Sequence, residues 1–376
     1  MSMDHGSGRG LAGVVAADTV MSHVDGAGGR LVIRGHPVEQ LAGYAPYETA
    51  ASLLLDGFAE CGDEASFRTA VGRGRVEAYG RFAGRLRDMP GTLDPVETMR
   101  LLLAEIGDSD PLAEPAALIG AAGVAAAMAI RHAGGEPISP PDAAAPHAAD
   151  LLRLIRGARP DSRESAAFEA YLVTVIDHGF NASTFTARVV ASTQAGLPSA
   201  VIAALSALKG RLHGGAPGPV LDMLDSIGRP EHAEDWIEAR IAAGERIMGF
   251  GHRAYRVRDP RADVLRSVLA GLGTVDSGDS DNFAGEGRLA FAGAVEKAAL
   301  TVLARRKAGR RLDVNVEFYT ALLLERLGIP RTGFTAVFAA ARSAGWIAHA
   351  LEQQAEGSLI RPDARYIGPE PLARAG

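Results

Sequence analysis

"GFGHRAYRVRDPRADVLRSVLAGLG", residues 249–273, decides the fold class in its second half and poses a chemical question in its first. From Asp259 onward, Val264, Leu265, Val268, Leu269 and Leu272 recur at the spacing of one face of an amphipathic helix. Asp259 suits the N-cap of that helix and Pro260 its first position, where a missing N–H leaves nothing unsatisfied. Working outward, "DWIEARIAAG" (235–244), "AAFEAYLVTVIDHG" (166–179), "PSAVIAALSALKG" (198–210) and "NVEFYTALLLERLGIP" (315–330) follow the same order. Each closes on glycine, or on glycine with proline just beyond, the usual stop signals of a helix. Alternating strand signal is confined to short pieces such as "RLVIRG" at 30–35. The chain is therefore expected to be mainly helical.

Length and composition bound the rest. The 376 residues can form two domains, or one body with a smaller lobe, and 47% hydrophobic against 22% charged residues is globular composition. With 39 basic and 45 acidic residues the net charge is -6, so no whole-chain field favours nucleic acid or an anionic membrane. "RRKAGRR", 305–311, is locally basic but has neither interleaved aromatics nor a recognisable nucleic-acid motif. Cys61 is the only cysteine, which excludes an intrachain disulfide and a cysteine metal cluster. The start "MSMDHGSGRG" lacks the charged-then-apolar order of a signal peptide, so the cytoplasm is expected. "AALIGAAGVAAAMAI", 116–130, is apolar but short of the ~20 residues that span a bilayer, and is expected to be a buried helix. "GTVDSGDSDNFAGEGR", 273–288, has almost nothing to bury and reads as a surface loop of weak order.

Five places carry side chains that packing alone explains poorly. His178 sits at an Asp-His-Gly break, where it either ends a helix or faces a ligand, and Asn181 or Ser183 can cap the helix that follows. His213 lies among Gly210, Gly214, Gly215 and Gly218, in a loop that is either a plain turn or a close approach of backbone to ligand. His252 stands between glycines and before Arg253, Arg256, Arg258 and Arg261, which form either a solvated charge run or an anion site completed by a helix N-terminus. Glu317, two residues after the candidate N-cap Asn315, is a first-turn acid that serves stability or acts as a base. Arg342 lies in an apolar helical stripe with no acid at helical spacing before Glu352, so a distant side chain or a ligand must supply its anion.

Together, "DHGFNASTFTARVVAST", "LKGRLHGGA", "GFGHRAYRVRDPRA", "NVEFYTALLL" and "FTAVFAAARSAGWIAHALEQ" resemble the citrate synthase family, in the family's order. The resemblance runs from "DTVMSHVDGAGGRLVIRG" to "RPDARYIGP". It implies a mainly α, two-domain homodimer: a large domain of residues 1–213 with 318–376, and a small domain, 214–317, that closes over substrate. The implied reaction is acyl transfer, condensing acetyl-CoA with oxaloacetate and hydrolysing the thioester, with no metal or tightly bound cofactor. Propionyl-CoA, giving 2-methylcitrate, is the alternative substrate, and a non-catalytic ligand-binding relative is the alternative of a different class.

By the same resemblance, Glu317 takes a proton from the carbon next to the thioester, His213 meets the enol oxygen and His252 polarises the oxaloacetate carbonyl. His178, Arg261 and Arg342 hold the oxaloacetate carboxylates, with Arg361 arriving from a second subunit, and Arg256 meets CoA phosphate. Two positions depart from the pattern. Most members have aspartate where Glu317 stands, and in "LDPVETMR", 93–100, Asp94 replaces a histidine and is expected to be structural.

Overall fold

The computed structural model describes residues 11, 13–210, 212–213, 217–273, 286–307 and 312–369. Its first elements are a small antiparallel sheet, in which β1 (Ser22–Asp25) pairs with β2 (Arg30–Ile33) and β2 with β3 (His36–Pro37). Helices follow: α1 (Val38–Leu41), α2 (Tyr47–Leu55), α3 (Glu64–Leu86), α4 (Pro95–Leu103), α5 (Pro115–Ala133), α6 (His147–Arg156), α7 (Ser162–Val175) and α8 (Ala182–Ala191). After them come α9 (Leu197–Leu208), α10 (Pro217–Ile227), α11 (Ala233–Ala242), α12 (Pro260–Gly271), α13 (Glu286–Arg306), α14 (Val316–Arg326) and α15 (Phe334–Glu356). The chain is mainly helical, as its periodicity dictates.

Local chemistry sets the helix starts. Asp259 Oδ1 accepts the Arg261 N–H at 3.1 Å and opens α12, with Pro260 as its first residue. Asn315 caps α14 through the Glu317 N–H at 3.0 Å, and Asn181, rather than Ser183, caps α8. Asp94 caps α4 in a reciprocal arrangement with Glu97, the structural role expected of it.

The centre of the molecule is α5 packed against α15. α5 runs to 19 residues, longer than its apolar stretch and long enough by count to cross a membrane, yet every residue from Leu118 to Ile130 is buried within the protein. α3, α4 and α6 pack on α5, while α8 and α9 pack on α15. Gly345 lets α15 come directly onto the turn after α7, because a Cβ there would lie 2.5 Å from the Ile176 carbonyl oxygen. The same packing lets Arg342 Nε reach the Val175 carbonyl, near enough for its charge to act on His178.

α14 packs against α12 and α10. Of the basic run at 305–311, Arg305 and Arg306 pair with Glu238 of α11, and 308–311 lie outside the described residues. The expected weakly ordered loop lies, from 274 to 285, outside them as well.

Candidate active site

Two segments about 64 positions apart are stitched together to form one wall of the site. The Gly251 N–H donates to the Asp313 carbonyl at 2.8 Å, the Asn315 N–H to the Gly249 carbonyl at 2.9 Å, and Asn315 Nδ2 to the Gly251 carbonyl at 2.9 Å. Gly249 adopts φ +81°, and a Cβ there would meet Phe318 at 2.9 Å, so glycine is needed for both conformation and space. Asp259 adds a second stitch. Its carboxylate holds Arg261 through Nε at 3.0 Å and the terminal nitrogen at 2.8 Å, and Oδ2 also accepts the Val316 N–H at 3.1 Å. The loop carrying His252 and Arg261 is thereby fixed to the first turn carrying Glu317.

His252 has a defined tautomer. Nδ1 accepts the backbone N–H groups of Ala254 at 3.0 Å and Tyr255 at 3.2 Å, two donors that outweigh the Arg261 terminal nitrogen 3.5 Å from Nε2, so a neutral ring carries its proton on Nε2. Burial, with the Arg261 charge adding to it against Asp259, lowers its pKa to about 4. The side chain therefore works at neutral pH as an uncharged Nε2–H donor. Its ring stands 5.3 Å from that of His178, edge to face. His178 is buried, and desolvation with the charges of Arg261, His252 and Arg342 holds it well below the ordinary histidine value.

His213 is neutral for the same reasons: burial, then Arg342 and Arg253, lower it to about 4. Its Nε2 lies 2.8 Å from Ser183 Oγ and accepts the Ser183 N–H at 3.2 Å, which places the ring proton on Nδ1. Trp346 Nε1 in turn donates to Ser183 Oγ at 3.2 Å, tying this loop to α15.

The acid and the two guanidinium groups complete the cluster. Burial lifts Glu317 from its usual range to about 7, with Asp259 raising it and Arg261 and Arg342 pulling it down, and Oε2 is buried without a hydrogen-bond partner. Arg342 is 2% exposed; its Nε donates to the Val175 carbonyl and its guanidinium lies over the Phe338 ring at 4.6 Å. Among the described residues no carboxylate oxygen comes within 4.0 Å of it, and burial lowers its pKa to about 10 although Asp177 acts against this. A buried cation with no paired anion is costly unless a ligand supplies one. Arg342→Met should therefore melt no lower than the parent while losing affinity for a dicarboxylate. Thermal unfolding with and without oxaloacetate checks both; a large fall in melting temperature would mean that the charge is satisfied within the fold.

His178, His252, Arg261, Glu317 and Arg342, singled out in the sequence, thus share one electrostatic cluster, and His213 joins it through Arg342. Arg258 does not: it pairs with Asp263 and Glu296, so its charge is spent inside the fold and the anion site is smaller than the arginine count suggests. Arg256 is exposed, its N–H donating to the Gly26 carbonyl at 2.7 Å. Arg361 is exposed in the segment after α15 and makes no hydrogen bond or ion pair with the cluster of its own chain. Sequence reasoning missed Asp177, Ser183 and Tyr255. Asp177 has a readable signal, as an acid beside His178 in the break after an apolar helix; the other two look like ordinary cap and loop residues.

A sequence profile of "Citrate synthase, C-terminal domain" matches residues 10–363. A putative citrate synthase 2 of Mycobacterium tuberculosis is 45% identical over 212 residues, 56% of this chain and 54% of that protein, so this match spans only about half the relative's length. The citrate synthase of Deinococcus radiodurans is 33% identical over 96% of this chain and 95% of its own. A 2-methylcitrate synthase of M. tuberculosis is 33% identical over 96% and 91%. Among solved structures, the ternary complex of the Thermoplasma acidophilum citrate synthase with carboxymethyl coenzyme A and oxaloacetate is similar at a TM-score of 0.83 and 26% identity, covering 97% of each chain.

Proposed function

Since the chain belongs to the citrate synthase family, we propose that it condenses acetyl-CoA with oxaloacetate and hydrolyses the resulting thioester to citrate and CoA. One observation carries the reading. A proton-hungry Glu317 with a partnerless oxygen lies in one cluster with a buried guanidinium, Arg342, that lacks a carboxylate.

In this reading Glu317, ionised, takes a proton from the methyl carbon beside the thioester, and His213 donates from Nδ1 to the enol oxygen as it forms. A carboxyl with a pKa near 7 is a stronger base than an ordinary glutamate and is still half ionised at neutral pH. The new carbon nucleophile attacks the oxaloacetate carbonyl, whose oxygen receives the His252 Nε2–H. Arg261, Arg342 and His178 hold the carboxylates, and holding both partners in register supplies much of the rate. Water then cleaves the thioester, releasing CoA.

The neutral state of all three histidines supports these roles, because each must give or accept a directed hydrogen bond rather than add charge. No tightly bound cofactor or metal is part of the scheme, and acyl-CoA is a substrate, its phosphate meeting Arg256. We take the working unit to be a homodimer in which Arg361 reaches the neighbouring site, and residues 214–317 to be the lobe that closes over substrate. The packing of α14 on α10 and α12 favours counting that whole helix with the lobe. A cytoplasmic enzyme feeding the tricarboxylic acid cycle fits a chain with one cysteine.

The similarity to a 2-methylcitrate synthase keeps propionyl-CoA as the second reading. One methylene in an apolar pocket is worth ~1–3 kcal/mol, so preference between the two acyl groups should not exceed roughly 200-fold. Thiol release from acetyl-, propionyl- and butyryl-CoA at saturating oxaloacetate checks the assignment: the highest kcat/KM is expected for acetyl-CoA, and a propionyl-CoA optimum would transfer the enzyme to the second reading.

A further inference from the structure

We propose that Tyr255 is a positioning residue of the dicarboxylate site, its hydroxyl fixing the ring orientation and tautomer of His178. The inference rests on the oxaloacetate-binding reading of that site. Tyr255 is 3% exposed and touches three of the groups assigned to oxaloacetate. Its hydroxyl lies 3.1 Å from His178 Nε2, its backbone N–H donates to His252 Nδ1, and its ring stands 4.9 Å from the His252 ring and 6.0 Å from the Arg261 guanidinium carbon.

Either partner could donate in the hydroxyl bond, and here the proton is assigned to Tyr255. Burial raises the phenol above its ordinary value, so it remains an O–H at any working pH, while burial and cationic neighbours keep His178 neutral. A neutral imidazole has one donor and one acceptor nitrogen. An O–H held on Nε2 makes that nitrogen the acceptor and leaves the proton on Nδ1. Tyr255 thus sets both histidines in complementary ways, the backbone fixing Nε2–H on His252 and the side chain fixing Nδ1–H on His178. It does so from a single loop position between the arginines at 253 and 256.

Tyr255→Phe removes the hydroxyl alone and keeps the ring that packs against His252 and Arg261. The loss of one hydrogen bond to a buried group should weaken oxaloacetate binding roughly tenfold. kcat and the KM for acetyl-CoA should stay within about twofold of the parent, since neither Glu317 nor His213 is touched.

A second signature separates positioning from packing. Without its O–H partner, Nε2 of His178 loses the donor that makes it the acceptor, and the ring, still held neutral by burial and by Arg261, His252 and Arg342, is free to change tautomer or orientation. The oxaloacetate KM of Tyr255→Phe should therefore rise while kcat and the acetyl-CoA KM hold, a split that a general loss of packing would not give. Tyr255→Leu, which also removes the ring, should lose kcat as well, because His252 and Arg261 then lose their support.

The experiment is oxaloacetate titration of the parent and both variants by calorimetry, with steady-state kinetics alongside. An unchanged oxaloacetate Kd in Tyr255→Phe overturns the inference. So does a uniform fall in melting temperature, kcat and both affinities, which would mark a packing role. A parent that binds no oxaloacetate overturns the functional reading and this inference with it, whereas a binding parent with an equally binding Phe variant overturns the inference alone.

Discussion

A Glu317→Gln variant should bind oxaloacetate as the parent does and turn over at least ~10²-fold more slowly, the usual contribution of a general base. The amide matches the carboxyl in size and can sit in the same partnerless, buried position, so folding should survive. The parent's pH profile carries the same information. A base must be ionised to act, and Glu317 is lifted to about 7 by burial, so kcat/KM for acetyl-CoA should rise as pH increases through about 7 and level off above it. The glutamine variant should lose that limb. Near-parental turnover by a folded Glu317→Gln protein would remove Glu317 from the mechanism. Because aspartate keeps the carboxylate, Glu317→Asp should retain more activity than the amide, the cost being a carboxylate drawn back by one methylene.

The second large effect is an activity that returns when two dead proteins are mixed. If Arg361 completes the neighbouring site, then Arg361→Ala and His252→Ala homodimers are both nearly inactive. In a mixed two-fold dimer, the subunit with Arg361→Ala keeps its own His252 and borrows an intact Arg361, while the other site lacks both groups. Random reassembly from equal amounts makes about half the dimers mixed, each with one working site of two, so about a quarter of parental activity per site should return. The exposed position of Arg361, away from its own chain's cluster, is what a trans-acting residue requires. Subunits that demonstrably exchange while activity stays at the level of the parents would show that Arg361 does not act across an interface.

What could be read from the sequence was local. Asp259 and Asn315 each announced a helix start because a capping side chain reaches only two or three residues, and each caps as expected, while of the two candidates for α8 it is Asn181 that caps. Arg342 was legible for an opposite reason: a charge in an apolar helical stripe is expensive, and the expense shows in the sequence whatever the tertiary structure.

The second duty of Asp259 could not be read in this way. Its contact with the Val316 N–H joins residues 57 positions apart, and no local rule reports that a cap is shared between two helices. Tyr255 meets His178 across 77 positions, and in the sequence it is only a loop aromatic among arginines. Arg258 failed as an anion-binding candidate because Glu296, 38 positions away, had already taken its charge. Charge counting along a segment shows where cations are, but only the fold shows which of them remain unspent.

The most direct test of the central claim is thiol release from acetyl-CoA by the purified protein, followed with and without oxaloacetate. Release should depend on oxaloacetate and be matched mole for mole by citrate. A folded protein that binds oxaloacetate yet releases no thiol from acetyl-CoA or propionyl-CoA would contradict it, and would make the chain a ligand-binding relative that keeps the carboxylate clamp without the chemistry.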